Sequence, residues 1–452
     1  MQSRRDFIKN SIIGAAALSM GGLQGNIQGA GIPRTSSGRR ILGANDRIRV
    51  AAIGVNSRGK AVASTFARQA GCEISHVCDV DRRAMDNCSK ELQDVQGISP
   101  ERASDFRRVL DDRDVDAVMI ATPDHWHVPA SVLAMQAGKH VYCEKPVSYC
   151  PEEGEILQDA VRKYRRILEV GLQRRSWPNV IEAIGLIKEG AIGKVHFGKA
   201  WYTNNRPSIG RGNVSPVPDW LDWDLWQGPA PRVPYKDNYI HYNWHWFWHW
   251  GSGEATNNGT HMVDILRWGM ELDFPVSVNS MGGRYFFDDD QETPDTQVIN
   301  LTFKDGRFIS YEGRSCNPKT LESNSVGVMF HGDKGSALIT GSNGYRFFDN
   351  DSKVVSQKYS SIPIDPRNTV NPSDKLDALH INNFLDAIRL GTRVSIGASE
   401  GHKSTLLMQL GMISQRVGRT LSTDPRNGHI IGDRKAMKLW SREYAPGFGI
   451  KL

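Results

Sequence analysis

Residues 47–59 read Arg-Ile-Arg-Val-Ala-Ala-Ile-Gly-Val-Asn-Ser-Arg-Gly, and the fold turns on this stretch. Its first half is a short apolar run ending at Ile53, which predicts a buried strand. Gly54-Val55-Asn56-Ser57-Arg58-Gly59 follows at once, and a helical pattern opens at Lys60 with Ala61, Val62, Phe66 and Ala67. Strand, glycine turn and helix in that order form the context of a dinucleotide-binding loop. Gly54 is expected to make the tight turn and Gly59 the close helix–strand contact. The helix N-terminus in such a unit faces the pyrophosphate. Asn56 stands where the fingerprint has its second glycine, and asparagine tolerates unusual backbone angles better than most residues. Asn56, Ser57 and Arg58 are therefore candidate cofactor contacts beside the two glycines.

The next apolar run, Glu73–Asp79, ends in an acid 25 residues after Gly54. A carboxylate there can bond both hydroxyls of an adenosine ribose and repels a 2′-phosphate. Asp79 thus favours NAD over NADP, although Arg82 and Arg83 follow directly and soften the repulsion.

The alternation continues outward. Residues 114–121 read as a buried parallel strand, and Thr122-Pro123-Asp124-His125-Trp126-His127 as a loop at its C-terminal end, before a helix at 128–137. Residues 139–143 form the next strand, ending in Glu144-Lys145-Pro146, and Pro146 helps to fix the loop that carries Lys145. A helix at 151–165 and a strand at 167–171 precede Gln173-Arg174-Arg175. Ligands in open parallel sheets bind beyond the carboxyl ends of strands, where these loops lie.

From about Ser176 the rhythm changes. A helix at 178–189 leads to candidate strands at 194–202, 274–281, 296–303, 307–312, 326–331 and 336–340, as in a large, mainly antiparallel sheet with one buried face. Helices are expected at 261–269, 375–390 and 398–418, the last packing back on other elements. Seven of the 12 tryptophans fall between Trp220 and Trp250. Aromatic rings can cover the apolar face of a sugar ring while polar neighbours hold its hydroxyls; they can equally pack a sheet. Trp244 and Trp248 are taken for the cleft, without a geometric reason that sets them above the others. Then comes Asn257-Asn258-Gly259-Thr260-His261-Met262-Val263-Asp264. A helix starting near Gly259 would place His261 in its first turns with Asp264 on the same face. Oxidising a secondary alcohol needs a base for the hydroxyl proton, and histidine suits neutral pH.

Bulk properties bound the rest. The 452 residues, 39% hydrophobic and 23% charged, fit two globular domains. A formal net charge of +6 without a block of like charges does not point to nucleic acid. The six cysteines form no Cys-x-x-Cys pair, and their spacing makes neither a disulfide framework nor a metal site. The N-terminal Ser3-Arg4-Arg5-Asp6-Phe7-Ile8-Lys9, followed by an apolar stretch from Ile12 to Met20, resembles a twin-arginine export motif. That stretch is too short for a permanent transmembrane helix. Export of a folded, cofactor-loaded protein to the periplasm follows as the expectation, with the translocation machinery as a partner.

Taken in order, AAIGVNSRG, VCDVD, ATPDHWH, GKHVYCEKP, GLQRR and NNGTHMVD resemble the Gfo/Idh/MocA oxidoreductases, particularly their exported branch. The resemblance implies an α/β fold: an N-terminal Rossmann dinucleotide-binding domain plus a C-terminal α/β domain with a large, mainly antiparallel open sheet. The expected division is an export signal (1–30), a linker (31–45), the Rossmann domain (46–175), a substrate and oligomerisation domain (176–424) and a tail (425–452). The resemblance implies catalytic roles for Lys145 and His261, a nicotinamide-pocket role for His127, and cleft-side positions for Gln173 and Arg174. Asn257 stands where family members usually carry aspartate; an amide holds a hydroxyl but cannot serve as a base. The cofactor set is completed by Thr122, Pro123, His127, Glu144, Lys145 and Gln173, and the substrate set is Arg174, Trp244, Trp248, Asn257 and Asp264. The function implied is NAD-dependent oxidation of a sugar or polyol hydroxyl. Hydride passes to nicotinamide C4, His261 takes the proton and Lys145 stabilises the oxyanion. Two alternatives stay open: a glycoside hydrolase or lyase with tightly bound, recycled NAD, and a non-catalytic sugar-binding protein. A homodimer or homotetramer is expected.

Overall fold

The glycine turn sits where the sequence predicts it, at the end of the central strand of a parallel sheet. In the computed structural model, which describes residues 47–365 and 372–452, six strands build this sheet: β1 (Ile48–Ile53), β2 (Cys72–Cys78), β3 (Glu101–Ala103), β4 (Ala117–Ile120), β5 (His140–Cys143) and β6 (Leu168–Val170). Their order is β3-β2-β1-β4-β5-β6, and every pairing is parallel. This is the doubly wound Rossmann order, with its switch point between β1 and β4. Side chains on both faces of β1 and β4 are buried, because helices cover both sides of such a sheet. The predicted export signal and linker, 1–30 and 31–45, lie outside the described residues.

A second sheet follows, built from β7 (Val195–Thr203), β8 (Ser277–Gly283), β9 (Thr296–Thr302), β10 (Phe308–Arg314), β11 (Val326–Gly332), β12 (Gly335–Thr340), β13 (Gly344–Phe348), β14 (Val354–Lys358) and β15 (Leu421–Ser422). Its order is β14-β13-β12-β11-β7-β10-β9-β8-β15, antiparallel except for β7 with β10. Strand β9 alternates buried and half-buried side chains, which is the mark of one covered face. The cover is helix Thr260–Met270, whose Val263 and Leu266 pack with Ala200, Ile299, Ile309 and Val328, and helix Ala398–Val417.

Two long-range features tie the halves together. A Cβ on Gly401 would lie 2.6 Å from Val170 of the first sheet, and one on Gly411 2.5 Å from Ile299 of the second. Helix Ala398–Val417 therefore bridges both sheets. Helix Asp374–Leu390, assigned on sequence to the second domain, instead packs on the first: Ile381, Phe384 and Leu385 join the core of Val50, Ala52 and Phe66. The domain boundary in space is thus not a single cut in the chain.

The segment 122–127 also differs from expectation. The helix begins at Asp124, four residues before the predicted start, and runs to Gln136 with Pro129 inside it. Proline has no N–H to offer the carbonyl four residues back. That carbonyl, on His125, accepts instead from Arg442 Nη2 at 2.6 Å. The C-terminal tail so repairs the gap that proline leaves.

Candidate active site

A cleft of about 530 Å³ opens at the C-terminal ends of β1, β2 and β4 and is closed from the other side by residues 225–257. Its floor is the glycine turn. Gly54 has φ +79°, and a Cβ there would lie 2.7 Å from the backbone of Ala121 and Thr122; a Cβ on Gly59 would lie 1.8 Å from the Gly54 carbonyl. Both glycines are therefore fixed by close backbone approach. Asn56 and Ser57 are exposed on the cleft side, and Ser57 has φ +44°.

Asp79 lines the same cleft. Its Oδ2 accepts from Val55 N at 2.8 Å and its Oδ1 from Asp81 N at 3.0 Å. Burial pushes its pKa up, and these two backbone donors pull it back. Each carboxylate oxygen keeps lone-pair capacity for a further donor. Arg82 reaches the Asp219 carbonyl. Arg83 pairs with Asp81 and lies 3.3 Å over the Trp220 ring. Both arginines thus have partners of their own.

Arg58 and Glu144 line the cleft as a pair. Arg58 donates to Glu144 Oε1 from Nε at 3.0 Å and from Nη2 at 2.9 Å, and also binds Asp377 of helix Asp374–Leu390. Thr122, Pro123 and His127 form the neighbouring wall. The two ring nitrogens of His127 face the carbonyls of Pro146 (2.7 Å) and Thr122 (2.8 Å), so this ring joins the loops after β4 and β5.

Lys145 stands at the end of the cleft where the two domains meet. Its Nζ donates to the backbone carbonyl of Asn257 at 2.7 Å and to Asn257 Oδ1 at 2.8 Å. Burial brings its pKa down to about 8, against the pull of Glu144 and Asp124. Asn257 sits in a π-helical turn, Ala255–Gly259, and the α-helix starts only at Thr260. Such a wide turn re-aims side chains and recurs at functional sites. His261, one turn on, is buried, and neither ring nitrogen has a hydrogen-bond partner among the described residues. Burial, then the charges of Arg174 and Lys145, hold its pKa well below the usual histidine range. It is a neutral imidazole that does not border the cleft, although the charge of Lys145 reaches it.

Besides His261, four expected site residues do not border the cleft. Asp264 is buried, with both oxygens on Arg175 (2.9 and 2.7 Å) and one also on Ser404 (2.6 Å), so it has no face toward the cleft. Gln173 and Arg174 lie in a 3-10 turn directly after β6, which buries them; Arg174 stacks 4.8 Å from the Trp177 ring. Neither borders the cleft. Trp248 borders a different cavity, where Arg416 lies 4.6 Å over its ring. Trp244 does border the cleft, stacked on His245 at 3.6 Å. Trp223, Trp226 and Trp250 pack mainly on one another.

His241, Tyr242 and His245 also line the cleft and were not singled out as contacts. His241 Nε2 is 2.8 Å from Asp81 Oδ2, which ties the aromatic segment to the Rossmann domain. The sequence signal was the polar residues set between tryptophans. Ser104, Asp105 and Phe106, just past β3, were missed too; the general rule for strand ends would have found them.

The geometry agrees with comparison to known proteins. Residues 48–172 match the model for the oxidoreductase family's NAD-binding Rossmann fold, and residues 197–446 match that for its C-terminal alpha/beta domain. The chain belongs to the Gfo/Idh/MocA oxidoreductase family. This Gfo/Idh/MocA chain is 31% identical over 212 residues to a Glycosyl hydrolase family 109 protein of Saccharopolyspora erythraea, covering 45% of this chain and 46% of that one. It is 41% identical over 165 residues to Levoglucosan dehydrogenase of Pseudarthrobacter phenanthrenivorans, covering 36% of this chain and 35% of the relative. The match spans about half the length or less of these curated relatives. Among solved structures, Levoglucosan dehydrogenase in complex with NADH and levoglucosan aligns with TM-score 0.63 at 20% identity, covering 83% of this chain and 99% of that one. The shared fold extends to the second, mainly antiparallel sheet.

Proposed function

We propose that this chain binds NAD in the main cleft and uses it to oxidise a hydroxyl of a sugar or polyol. The observation that carries the reading is Lys145. Its amine, with a pKa brought to about 8, is held by Asn257 at the inner end of a dinucleotide cleft. The residues present fit the cofactor: a glycine turn that admits no side chain, exposed Asn56 and Ser57, and the Asp79 carboxylate. A bound nicotinamide supplies the hydride acceptor. Lys145 touches the substrate oxygen and stabilises the negative charge that grows there. The hydroxyl proton leaves toward Lys145 and the neutral His261. Asn257 positions Lys145 and takes no proton. Trp244, His245 and Tyr242 offer ring faces and polar edges for the sugar.

NAD is favoured over NADP because Asp79 faces the cleft while Arg82 and Arg83 are turned to other partners. The curated and solved relatives that act on carbohydrates support the substrate class. The test replaces Lys145 with Met and His261 with Ala separately in folded, NAD-loaded protein. A large loss of turnover on sugars is expected in each; unchanged turnover in both removes the mechanism.

A second reading rests on the relative named for glycosyl hydrolase family 109. A ketone formed transiently in the sugar ring acidifies the neighbouring C–H, the aglycone leaves by elimination, and water adds. The cofactor is then recycled in place. Aryl glycoside cleavage without added nicotinamide supports this reading, and strict stoichiometric NADH production rejects it. We further propose twin-arginine export to the periplasm and a homo-oligomeric state. Fractionation of cells with Arg4 and Arg5 both changed to Lys tests the export; light scattering tests the assembly.

A further inference from the structure

A second cavity, of about 210 Å³, lies where the loop after Lys145 meets Trp248, helix Ala398–Val417 and the C-terminal tail. It shares no lining residue with the main cleft. One hydrogen bond stands between them: Ser252, on the wall of the second cavity, donates to Asp124 Oδ2 on the wall of the first at 2.7 Å.

Two buried groups on this cavity carry unpartnered polar atoms, and an exposed arginine stands beside them. Arg416 has no ion-pair partner among the described residues and lies over the Trp248 ring at 4.6 Å. Arg442 has a side chain only 8% exposed; its Nη2 serves Glu153 and the His125 carbonyl, yet its Nε and Nη1 are buried with no hydrogen-bond partner among the described residues. Gln409 is held by its Nε2 on Ser148, which leaves its buried Oε1 without a donor. Buried polar groups are nearly always satisfied in native proteins, so the orphaned atoms of Arg442 and Gln409 on one small cavity need a common partner.

The chemistry of that partner can be read from the wall. Glu153 pairs with Arg442, whereas Arg416 forms no ion pair among the described residues and feels only the more distant charge of Glu292, so the cavity is matched by one negative charge. Guanidinium groups bind carboxylates best through paired donors. Gln409 Oε1 accepts a hydrogen bond, so the ligand carries a hydroxyl as well. The rings of Trp248 and Tyr149, with Met412 and Ile413, offer apolar faces to ring C–H groups. We propose that this cavity is a binding site for a small hydroxylated monocarboxylate, of the uronate class, distinct from the main cleft.

The probe is D-glucuronate, titrated calorimetrically into the full chain with its nicotinamide bound. Variants are Arg416→Gln, Trp248→Leu and, for the main cleft, Lys145→Met. Arg416 reaches solvent and supports no ion pair, so its replacement leaves the fold intact, which thermal denaturation confirms. Binding is expected to be equal in the wild type and Lys145→Met. It is expected to weaken about tenfold or more in Arg416→Gln and Trp248→Leu, the loss of one charge-assisted contact. Uncharged methyl glucoside is expected not to compete. Unchanged affinity in Arg416→Gln, loss in Lys145→Met, tighter binding of inorganic phosphate than of glucuronate, or no binding at millimolar concentration overturns the proposal.

Discussion

Lys145 and Asn257 are joined twice: the amine donates to both the backbone carbonyl (2.7 Å) and the side-chain oxygen (2.8 Å) of the asparagine. An amide oxygen orients the amine without charging it, whereas a carboxylate at the same place would stabilise the ammonium form. Asn257→Asp is therefore expected to raise the Lys145 pKa from about 8 back toward 10.5. If the neutral amine is the working form, the acidic limb of the kcat/KM profile moves up by roughly one unit or more. A profile that stays in place or moves down excludes Lys145 as proton acceptor.

The same group makes stability depend on pH. The folded pKa of Lys145, about 8, lies below its ordinary 10.5. Between these values the unfolded chain binds more protons than the folded one, so this residue's contribution to stability rises with pH across that window. Below about pH 8 its cost to the fold is fully present. Lys145→Met is thus expected to be more stable than wild type at pH 7, by roughly 1–3 kcal/mol. The advantage fades by pH 10.5. Urea unfolding of both proteins at the two ends of the window measures the difference directly.

The glycine turn carries a prediction of the opposite sign. Gly59→Ala puts a methyl group 1.8 Å from the Gly54 carbonyl, where no flexible side chain can yield. A loss of at least about 3 kcal/mol is expected, together with loss of NADH binding. Chemical denaturation and fluorescence titration would show both. Near-normal values for each would mean that the turn has a different shape.

Which parts were legible follows from how local each signal is. The β1 turn is set by neighbours in sequence, so Gly54, Asn56, Gly59 and Asp79 were placed from spacing alone. The alternating strands β9 and β10 were readable because one face is buried. Strand β14 was not, since its side chains are mostly exposed and show no alternation. Asp264, Gln173 and Arg174 depend on what packs against them from far along the chain. Asp264 meets Ser404, 140 residues away, and no spacing reveals that. Trp248 and Trp244 look alike in sequence but face different cavities: Trp244 lies within a 3-10 turn, Asn243–Trp246, and Trp248 lies past its end.

Asp79 decides the choice between the two nicotinamide dinucleotides. Its oxygens are fixed by Val55 N and Asp81 N and turned to the cleft. Asp79→Ser removes the charge that repels a 2′-phosphate and weakens the hold on the ribose hydroxyls. NADH affinity is expected to fall about tenfold, one charge-assisted hydrogen bond's worth, and the NADPH to NADH ratio to rise. Fluorescence titration with both dinucleotides reads this out. A parallel fall for the two would place the adenosine ribose elsewhere.

The pair Arg175–Asp264 separates structure from chemistry on the helix that carries His261. Both groups are buried and bidentate, and Arg175 also lies 5.0 Å from the Trp268 ring. Removing Asp264 leaves the buried Arg175 with only the more distant Glu400, 3.9 Å away, and breaking a buried pair costs about 3–5 kcal/mol. Asp264→Leu alone is expected to destabilise by that order. The double change Arg175→Met with Asp264→Leu is expected to recover much of the loss, since apolar residues of similar volume can replace a buried ion pair. Substrate KM in the double variant should stay near wild type, because neither residue borders the cleft. A large rise in KM with stability restored would return Asp264 to the substrate site.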